Sequence, residues 1–378
     1  MTTNTAVDRV LIVGGGLSGT AAALALQREG IDVEIVEKEP VWSATGTGIT
    51  LMGPAMRALK QLGVLDQCLS EGSGCSEMSL FTAEGERFHT LEIPGLLGPD
   101  WPAVGGMMRP TLHRILADSA SEKGVSVRTG TTVTSLEQND DSVEVELSDG
   151  SSDSYDLVLA ADGFRSQIRE MVWGEDAPKP QALGQIVWRA LLQRPASVTG
   201  EFQFYGPGLK TGFTPLGPDR MYQFLVQPFD SELPSPEERP ARMRELLEVF
   251  GGVVAEVRDQ IQQPEQVDVR KLYWLIMPRP WYRGRVLLIG DAAHATTPQL
   301  AMGGAIALED GIVLGELLAS ETELATALEK FMDRRYERCR MVVENSVQLS
   351  EWEKNAAEHE EDAGRLQVES FTALAAPI

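Results

Sequence analysis

A glycine-rich turn, Gly14-Gly15-Gly16-Leu17-Ser18-Gly19, follows the apolar run Val10-Leu11-Ile12-Val13 and leads into an alanine- and leucine-rich stretch from Thr20 to Glu29. Gly-x-Gly-x-x-Gly spacing at a strand-to-helix turn suits a pyrophosphate. Gly14 permits the tight turn, Gly16 lets the backbone approach the phosphates, and Gly19 lets the helix pack on the strand. Leu17 and Ser18 open that helix, whose first N–H groups and partial positive charge favour an anion. A second strand, Asp32 to Val36, ends at Glu37 and Lys38. A carboxylate there accepts hydrogen bonds from an adenosine ribose and disfavours a 2′-phosphate. The turn with its acid marks a dinucleotide site and leaves NAD and FAD both open.

A second stretch bears on that choice. Arg285-Val286-Leu287-Leu288-Ile289-Gly290-Asp291-Ala292-Ala293-His294 is a buried strand entering a turn. Pro298, Gly303 and Gly304 follow, then an alanine-rich helix through Glu309 and Asp310. A second close backbone approach carrying a carboxylate suits the hydroxyls of a ribityl chain, which FAD has and NAD lacks. The plain alternative is a structural turn with Asp291 capping a helix.

Taken together these motifs closely resemble the FAD-dependent aromatic hydroxylases, the single-component flavoprotein monooxygenases, and above all their salicylate-hydroxylase-like and urate-hydroxylase-like members. In that family a Gly-Asp motif, here Gly290-Asp291, holds the flavin ribityl, and Pro298, Gly303 and Gly304 match residues flanking the isoalloxazine. An Asp-Gly motif associated with FAD and NAD(P)H matches Asp162-Gly163 within Asp156 to Arg169, and the family's flavin-contacting Arg matches Arg109 in Arg109-Pro110-Thr111-Leu112. Two departures stand out. The Trp42 to Ile49 stretch lacks the usual Arg before its glycines, and Gly53-Pro54-Ala55 replaces Pro-Asn-Ala.

The resemblance implies an α/β fold: a Rossmann-like FAD-binding domain interleaved with a β-sheet substrate domain, plus a long C-terminal helix. The FAD domain is expected over 1–72, 105–176 and 279–320, the substrate sheet over 73–104 and 177–278, and a helical segment over 321–378. It also implies NADH or NADPH as reductant, O2 as cosubstrate, and oxygen transfer to an aromatic or N-heteroaromatic ring through a flavin C4a-hydroperoxide. A dry cavity protects such a species. Wall candidates on the insert strands are Trp188, Tyr205, Phe213 and Tyr222, with Pro298 beside the ring and Arg189 facing an anionic substrate group or making an interdomain ion pair. No catalytic base can be named. A flavin dehydrogenase or reductase without oxygen insertion, and a non-catalytic flavin-binding ligand sensor, share the same cofactor motifs.

The rest of the chain supplies boundaries. Among 378 residues, 33 Lys plus Arg against 56 Asp plus Glu leave a net charge of −23, which repels nucleic acid and anionic lipid. Three cysteines and four histidines show neither a disulfide framework nor metal-ligand spacing. No apolar run approaches the roughly 20 residues of a membrane span, and the MTTNTAVDRV start has no leader-peptide pattern. A cytoplasmic enzyme, monomer or homodimer, acting on a small aromatic substrate is the expectation. Tyr273-Trp274-Leu275-Ile276-Met277-Pro278 has one Trp where related flavin halogenases carry Trp-x-Trp, so it reads as a strand entering the second flavin segment.

His294 is expected to pack and to bond backbone rather than act as a base. Ser320-Glu321-Thr322-Glu323 fits a capping box for a long amphipathic helix through Leu349. Arg334, Arg335, Arg338 and Arg340 are expected on its surface face. Residues 353–365 are expected to extend that helix or to fray.

Overall fold

The computed structural model describes residues 5–378. Residues 1–4, part of the stretch read above for a leader, lie outside the described residues.

The first apolar run forms the strand Arg9–Val13 at the centre of a six-stranded sheet. Asp32–Glu37 and then Ser126–Thr129 flank it on one side; Leu157–Ala160, Val286–Leu288 and Tyr282–Arg283 flank it on the other. All pairings are parallel except the final hairpin. Both faces are covered, so residues such as Leu11, Ile12, Leu159 and Leu287 are fully buried without alternation. The helices Leu17–Arg28 and Gly303–Ser320 pack against one another on this sheet.

A seven-stranded sheet lies beside it, in the order Val267–Trp274, Gln181–Gln193, Arg220–Pro228, Leu209–Pro215, Glu201–Gly206, Glu77–Thr82, Arg87–Glu92. Its strands alternate, and the two faces differ. One face buries Ile186, Trp188, Phe204, Phe213 and Leu225 against Phe250 and Val254. Trp188 and Phe213 therefore fill the core on the side away from the flavin motifs, a correction to their reading as substrate walls. The period of two sends them there: each neighbours, in sequence, a residue on the other face. That other face carries Val187, Val226 and Leu272 and meets Val347 of the long C-terminal helix. Gly48–Leu51, Val104–Met108 and Ser73–Cys75 form a small sheet between the two large ones.

The C-terminal segment departs from expectation. Ser320 ends the preceding helix, and its hydroxyl donates back to Leu317 O. The long helix Leu324–Glu353 starts after Glu323 without a side-chain cap, so the capping box does not form. Residues past Glu353 neither extend that helix nor fray. The chain turns at Lys354-Asn355 and returns as a second helix, Ala356–Ala375. Arg57 Nη1 bonds Ala375 O at 3.0 Å, Arg338 Nη2 bonds Leu374 O at 2.9 Å, and Asn345 bonds Ser370 at 2.9 Å. Those cations complement the carbonyl end of the returning helix. Among the described residues no helix is long and apolar enough to cross a membrane.

Candidate active site

The glycine turn is held on three sides and open on the fourth. Gly14 has φ 104°, and a Cβ there would lie 2.5 Å from Ala161 O, so no other residue fits. Gly15 N donates to Glu37 Oε2 at 2.9 Å, and Glu39 N donates to Glu37 Oε1 at 2.9 Å. Each oxygen keeps a lone pair for a further donor. Gly15 O accepts from Trp42 Nε1 at 2.9 Å and His113 Nε2 at 2.6 Å, with the two rings edge to face. Sequence reading missed both side chains as turn-holding residues; neither has a spacing signal, because each reaches the turn from a distant element. At Gly16 a Cβ would meet nothing within 4 Å, and the helix it opens has no side-chain cap. Lys38 is exposed.

The other cofactor stretches meet this turn across one hollow. Asp162 Oδ2 accepts from Ile168 N at 3.2 Å, while its Oδ1 is buried without a partner. Burial raises its pKa. Arg169, unremarked in the sequence, is buried and bonds Phe164 O at 2.8 Å and Ala292 O at 2.9 Å. It thereby ties the Asp162-Gly163 loop to the Gly290-Asp291 loop.

Asp291 is ringed by protein, yet its side chain remains accessible: it faces into the hollow. Burial raises its pKa, opposed by His294 and Arg109. Asp291 sits at the first turn of Asp291–His294, which Gly290 caps, so it is not itself the cap. Arg109 lies across from it with Nε buried and unpartnered. Burial lowers its pKa, opposed first by Asp291. Pro298 begins a short turn that ends at Ala301, with φ 53°, before Gly303 opens its helix. A Cβ on Gly304 would crowd Ile49 Cδ1 at 3.1 Å.

Buried polar atoms without partners at Ser18, Thr47, Arg109, Asp162 and Thr297 thus come from separated stretches. Such orphans need a ligand, water or ion. An uncapped helix N-terminus, a free guanidinium and carboxylates with spare lone pairs fit the pyrophosphate, ribose and ribityl of FAD. If FAD binds here, Gly14, Gly16, Leu17, Ser18, Gly19 and Glu37 would hold its adenosine and phosphate side, and Arg109, Asp162, Gly163, Gly290 and Asp291 its ribityl side.

Behind the hollow, His294 Nε2 contacts Asp310 Oδ2 at 2.6 Å, correcting the expectation of a backbone partner. Asp310 also accepts from Gly290 N at 2.9 Å and Arg335 Nε at 2.9 Å. Glu309 accepts from Arg335 and Arg338, each at 2.8 Å. Arg335 is fully buried and Arg338 nearly so, which corrects their placement on the surface. Helical rotation puts them on the inner face, and Glu309 and Asp310 are what makes that tolerable. Arg334 and Arg340 do pair with surface acids, Glu316 and Glu337 with Glu344.

Burial alone would push these carboxyls up. Arg335 and Arg338 hold Glu309 low, and His294 with Arg335 hold Asp310 low. The His294 pKa rises despite burial, through Cys339 and Asp310. His294, Asp310 and Cys339 lie within 4.8 Å of one another, but Arg335 already supplies the cation there.

On the seven-stranded sheet, Arg189 and Tyr222 share the face turned toward Gly48–Leu51. A Cβ on Gly48 would strike the Tyr222 ring, so glycine lets this strand close on the phenol. Tyr222 Oη and Thr50 Oγ1 are 2.9 Å apart. Arg189 has no side-chain hydrogen bond or ion pair among the described residues. Burial lowers its pKa, opposed first by the Tyr222 phenol and reinforced by Arg109. Tyr205 is 38% exposed and bonds Gln203 at 2.9 Å, at the rim rather than in a wall.

Comparison with known proteins agrees with this arrangement. Residues 8–350 match the FAD binding domain family. The chain is 32% identical over 352 residues to the 2-heptyl-3-hydroxy-4(1H)-quinolone synthase of Pseudomonas aeruginosa, covering 91% of this chain and 90% of that one. It is 30% identical over 358 residues to the aurachin C monooxygenase/isomerase of Stigmatella aurantiaca, covering 91% and 90%. Klebsiella pneumoniae HpxO, solved with FAD and uric acid, superposes with a TM-score of 0.85 at 25% identity, covering 97% of this chain and 94% of that one. With a match that runs unbroken through every stretch lining the hollow, the chain belongs to the FAD-dependent aromatic hydroxylase family of flavoprotein monooxygenases.

Proposed function

We propose that this enzyme hydroxylates a small aromatic or N-heteroaromatic molecule bearing an acidic ring group, using NADH or NADPH and O2. The observation that carries the reading is that Arg189, a cation with no hydrogen bond or ion pair among the described residues, shares a sheet face with the Tyr222 hydroxyl near Arg109 and Gly48. A half-buried guanidinium without a protein partner offers its donors to an anionic or strongly accepting group. One relative is named as a quinolone synthase and a structural neighbour was solved with uric acid bound, and rings of that kind offer such groups.

Each residue then has a task. The glycine turn and helix start bind the pyrophosphate, and Glu37 accepts from the adenosine ribose. Arg109, Asp162 and Asp291 orient the ribityl side, and Pro298, Gly303 and Gly304 flank the ring. Bound FAD supplies hydride acceptance and oxygen activation. Arg189 and Tyr222 position the substrate, while buried Leu216 and the half-buried side chains of Phe224 and Ile49 limit water.

The test is a screen of phenols, aromatic acids and N-heterocycles for stimulated NAD(P)H consumption, with product formed under ¹⁸O2. Label in the product supports the hydroxylase. Stimulated consumption with unlabelled product would favour oxidation without oxygen insertion. Arg189→Met should raise KM for the substrate at least tenfold with little loss of bound flavin.

A further inference from the structure

Three adjacent strands place Tyr222, Thr214 and Glu201 in one row on the face that carries Arg189. Tyr222 and Thr214 are direct cross-strand partners. Phe213 pairs with Phe202, so Glu201 lies beside Thr214 on the next strand. Thr50 reaches across from the small sheet and closes the row. Tyr222 Oη to Thr50 Oγ1 is 2.9 Å, Thr50 Oγ1 to Thr214 Oγ1 is 2.9 Å, and Thr214 Oγ1 to Glu201 Oε2 is 2.7 Å.

The row has a direction. Glu201 is 4% exposed, and Thr214 is its only side-chain hydrogen-bond partner among the described residues. An ionised Glu201 accepts from Thr214, which then accepts from Thr50, which accepts from Tyr222. The Tyr222 oxygen keeps a lone pair at the end nearest Arg189.

We propose that Glu201 is the terminal proton acceptor of a relay through Thr214, Thr50 and Tyr222 that ionises the acidic ring O–H or N–H of the substrate. The proposal rests on the hydroxylase reading above. The substrate proton moves to the Tyr222 oxygen as Tyr222 passes its own to Thr50, Thr50 to Thr214, and Thr214 to Glu201. The substrate is left an anion beside Arg189 and Glu201 a neutral acid; no electrons are transferred. Ionisation makes the ring the better nucleophile that oxygen transfer needs. Tyr222 is the member that touches substrate, and Glu201 acts through it.

The surroundings suit a gated acceptor. Burial pushes Glu201 up to about 8, opposed by the Thr214 bond. The ionisable neighbours facing it are Tyr222 and, from the Ser73–Cys75 strand, Cys75. Burial pushes the Cys75 thiol up to about 11, so it stays neutral where Glu201 titrates. Arg194, a cation that acts on Cys75, bonds Val198 O through Nε and Gly217 O through Nη1.

The experiment uses the FAD-loaded enzyme and the best compound of the screen whose own ring group ionises above pH 9. In wild type, kcat should rise with pH through a limb near 8, as Glu201 loses its proton and becomes an acceptor. Glu201→Gln should remove that limb, lower kcat at pH 9 at least tenfold, and leave KM within threefold. Thr214→Val should do the same, and Thr214→Ser should restore the limb; this pair decides the matter if Glu201→Gln does not fold. A wild type that incorporates no ¹⁸O overturns the hydroxylase reading and the relay together. A wild type that hydroxylates, with an unchanged limb in Glu201→Gln or Thr214→Val, overturns the relay alone. A Thr214→Ser variant that behaves like Thr214→Val also overturns it.

Discussion

Glu201 in the seven-stranded sheet and the Glu309–Asp310 pair on the helix behind Gly290-Asp291 are all withdrawn from water, yet they are driven in opposite directions. Glu201 meets only a hydroxyl and is pushed up to about 8. Glu309 and Asp310 meet Arg335, Arg338 and His294 and are held below their usual values. Burial disfavours the charged carboxylate in both places, and a cation within contact distance decides the sign. The flavin side uses fixed charge as a brace: Asp310 holds Gly290 N, and through it the loop that presents Asp291. The seven-stranded sheet leaves Glu201 without a countercharge, as the proposed relay requires of a group that must change its proton.

The largest test of this contrast removes the brace. Arg335→Met leaves two buried carboxylates without their shared partner and should cost about 3–5 kcal/mol in denaturant unfolding, with FAD lost on desalting. If stability changes little, the charges are not the brace. Glu201→Gln should act with the opposite sign. Between the unfolded carboxyl value, near 4.5, and the folded value, about 8, the folded state keeps a proton that the unfolded state releases. Wild-type stability therefore falls as pH rises through that window. The Gln variant should be more stable by about 4 kcal/mol at pH 8 and by only about 1 kcal/mol at pH 5, read by thermal melts; a difference independent of pH would break the contrast.

Asp310→Asn weakens charge-assisted bonds to Gly290 N and Arg335 and should cost about 2 kcal/mol at pH 7. The Asp310 contribution is present above the unfolded carboxyl value and is lost as pH falls through the lower folded one, so the variant's deficit should shrink under acid. Reduced flavin content after purification would tie the bond to the cofactor loop. Smallest of all, Arg340→Ala, on the same helix as Arg335 but pairing with Glu337 and Glu344 at the surface, should change stability by less than about 0.5 kcal/mol.

Legibility in the sequence followed the range of the interactions. The turn from Val10 to Gly19 and the strand ending at Glu37 are local patterns, and a residue-type constraint such as Gly14 at φ 104° is written into one position. Alternation along the insert strands is readable as strand, but not which face meets the flavin motifs; Trp188 and Phe213 lie on one face and Arg189 and Tyr222 on the other. Arg335 and Arg338 read as surface residues for a related reason. A charged residue on a helix reads as solvent-facing until its partner is known, and Glu309 stands on another helix. Trp42, His113 and Arg169 gave no signal at all, since each acts on the backbone of a remote loop.

From the amino acids alone came the dinucleotide turn, the order of the flavin motifs, and the expectation of a flavoenzyme with a sheet-built substrate side. Those follow from short-range periodicity and from glycine's freedom at single positions. Only the folded chain decided which buried charges have counter-charges, how the last helix returns, and that Tyr222, Thr50, Thr214 and Glu201 stand in one hydrogen-bonded row. Hydrogen bonds and ion pairs act over a few ångströms, and residues far apart in sequence come within that distance only once the sheets have packed.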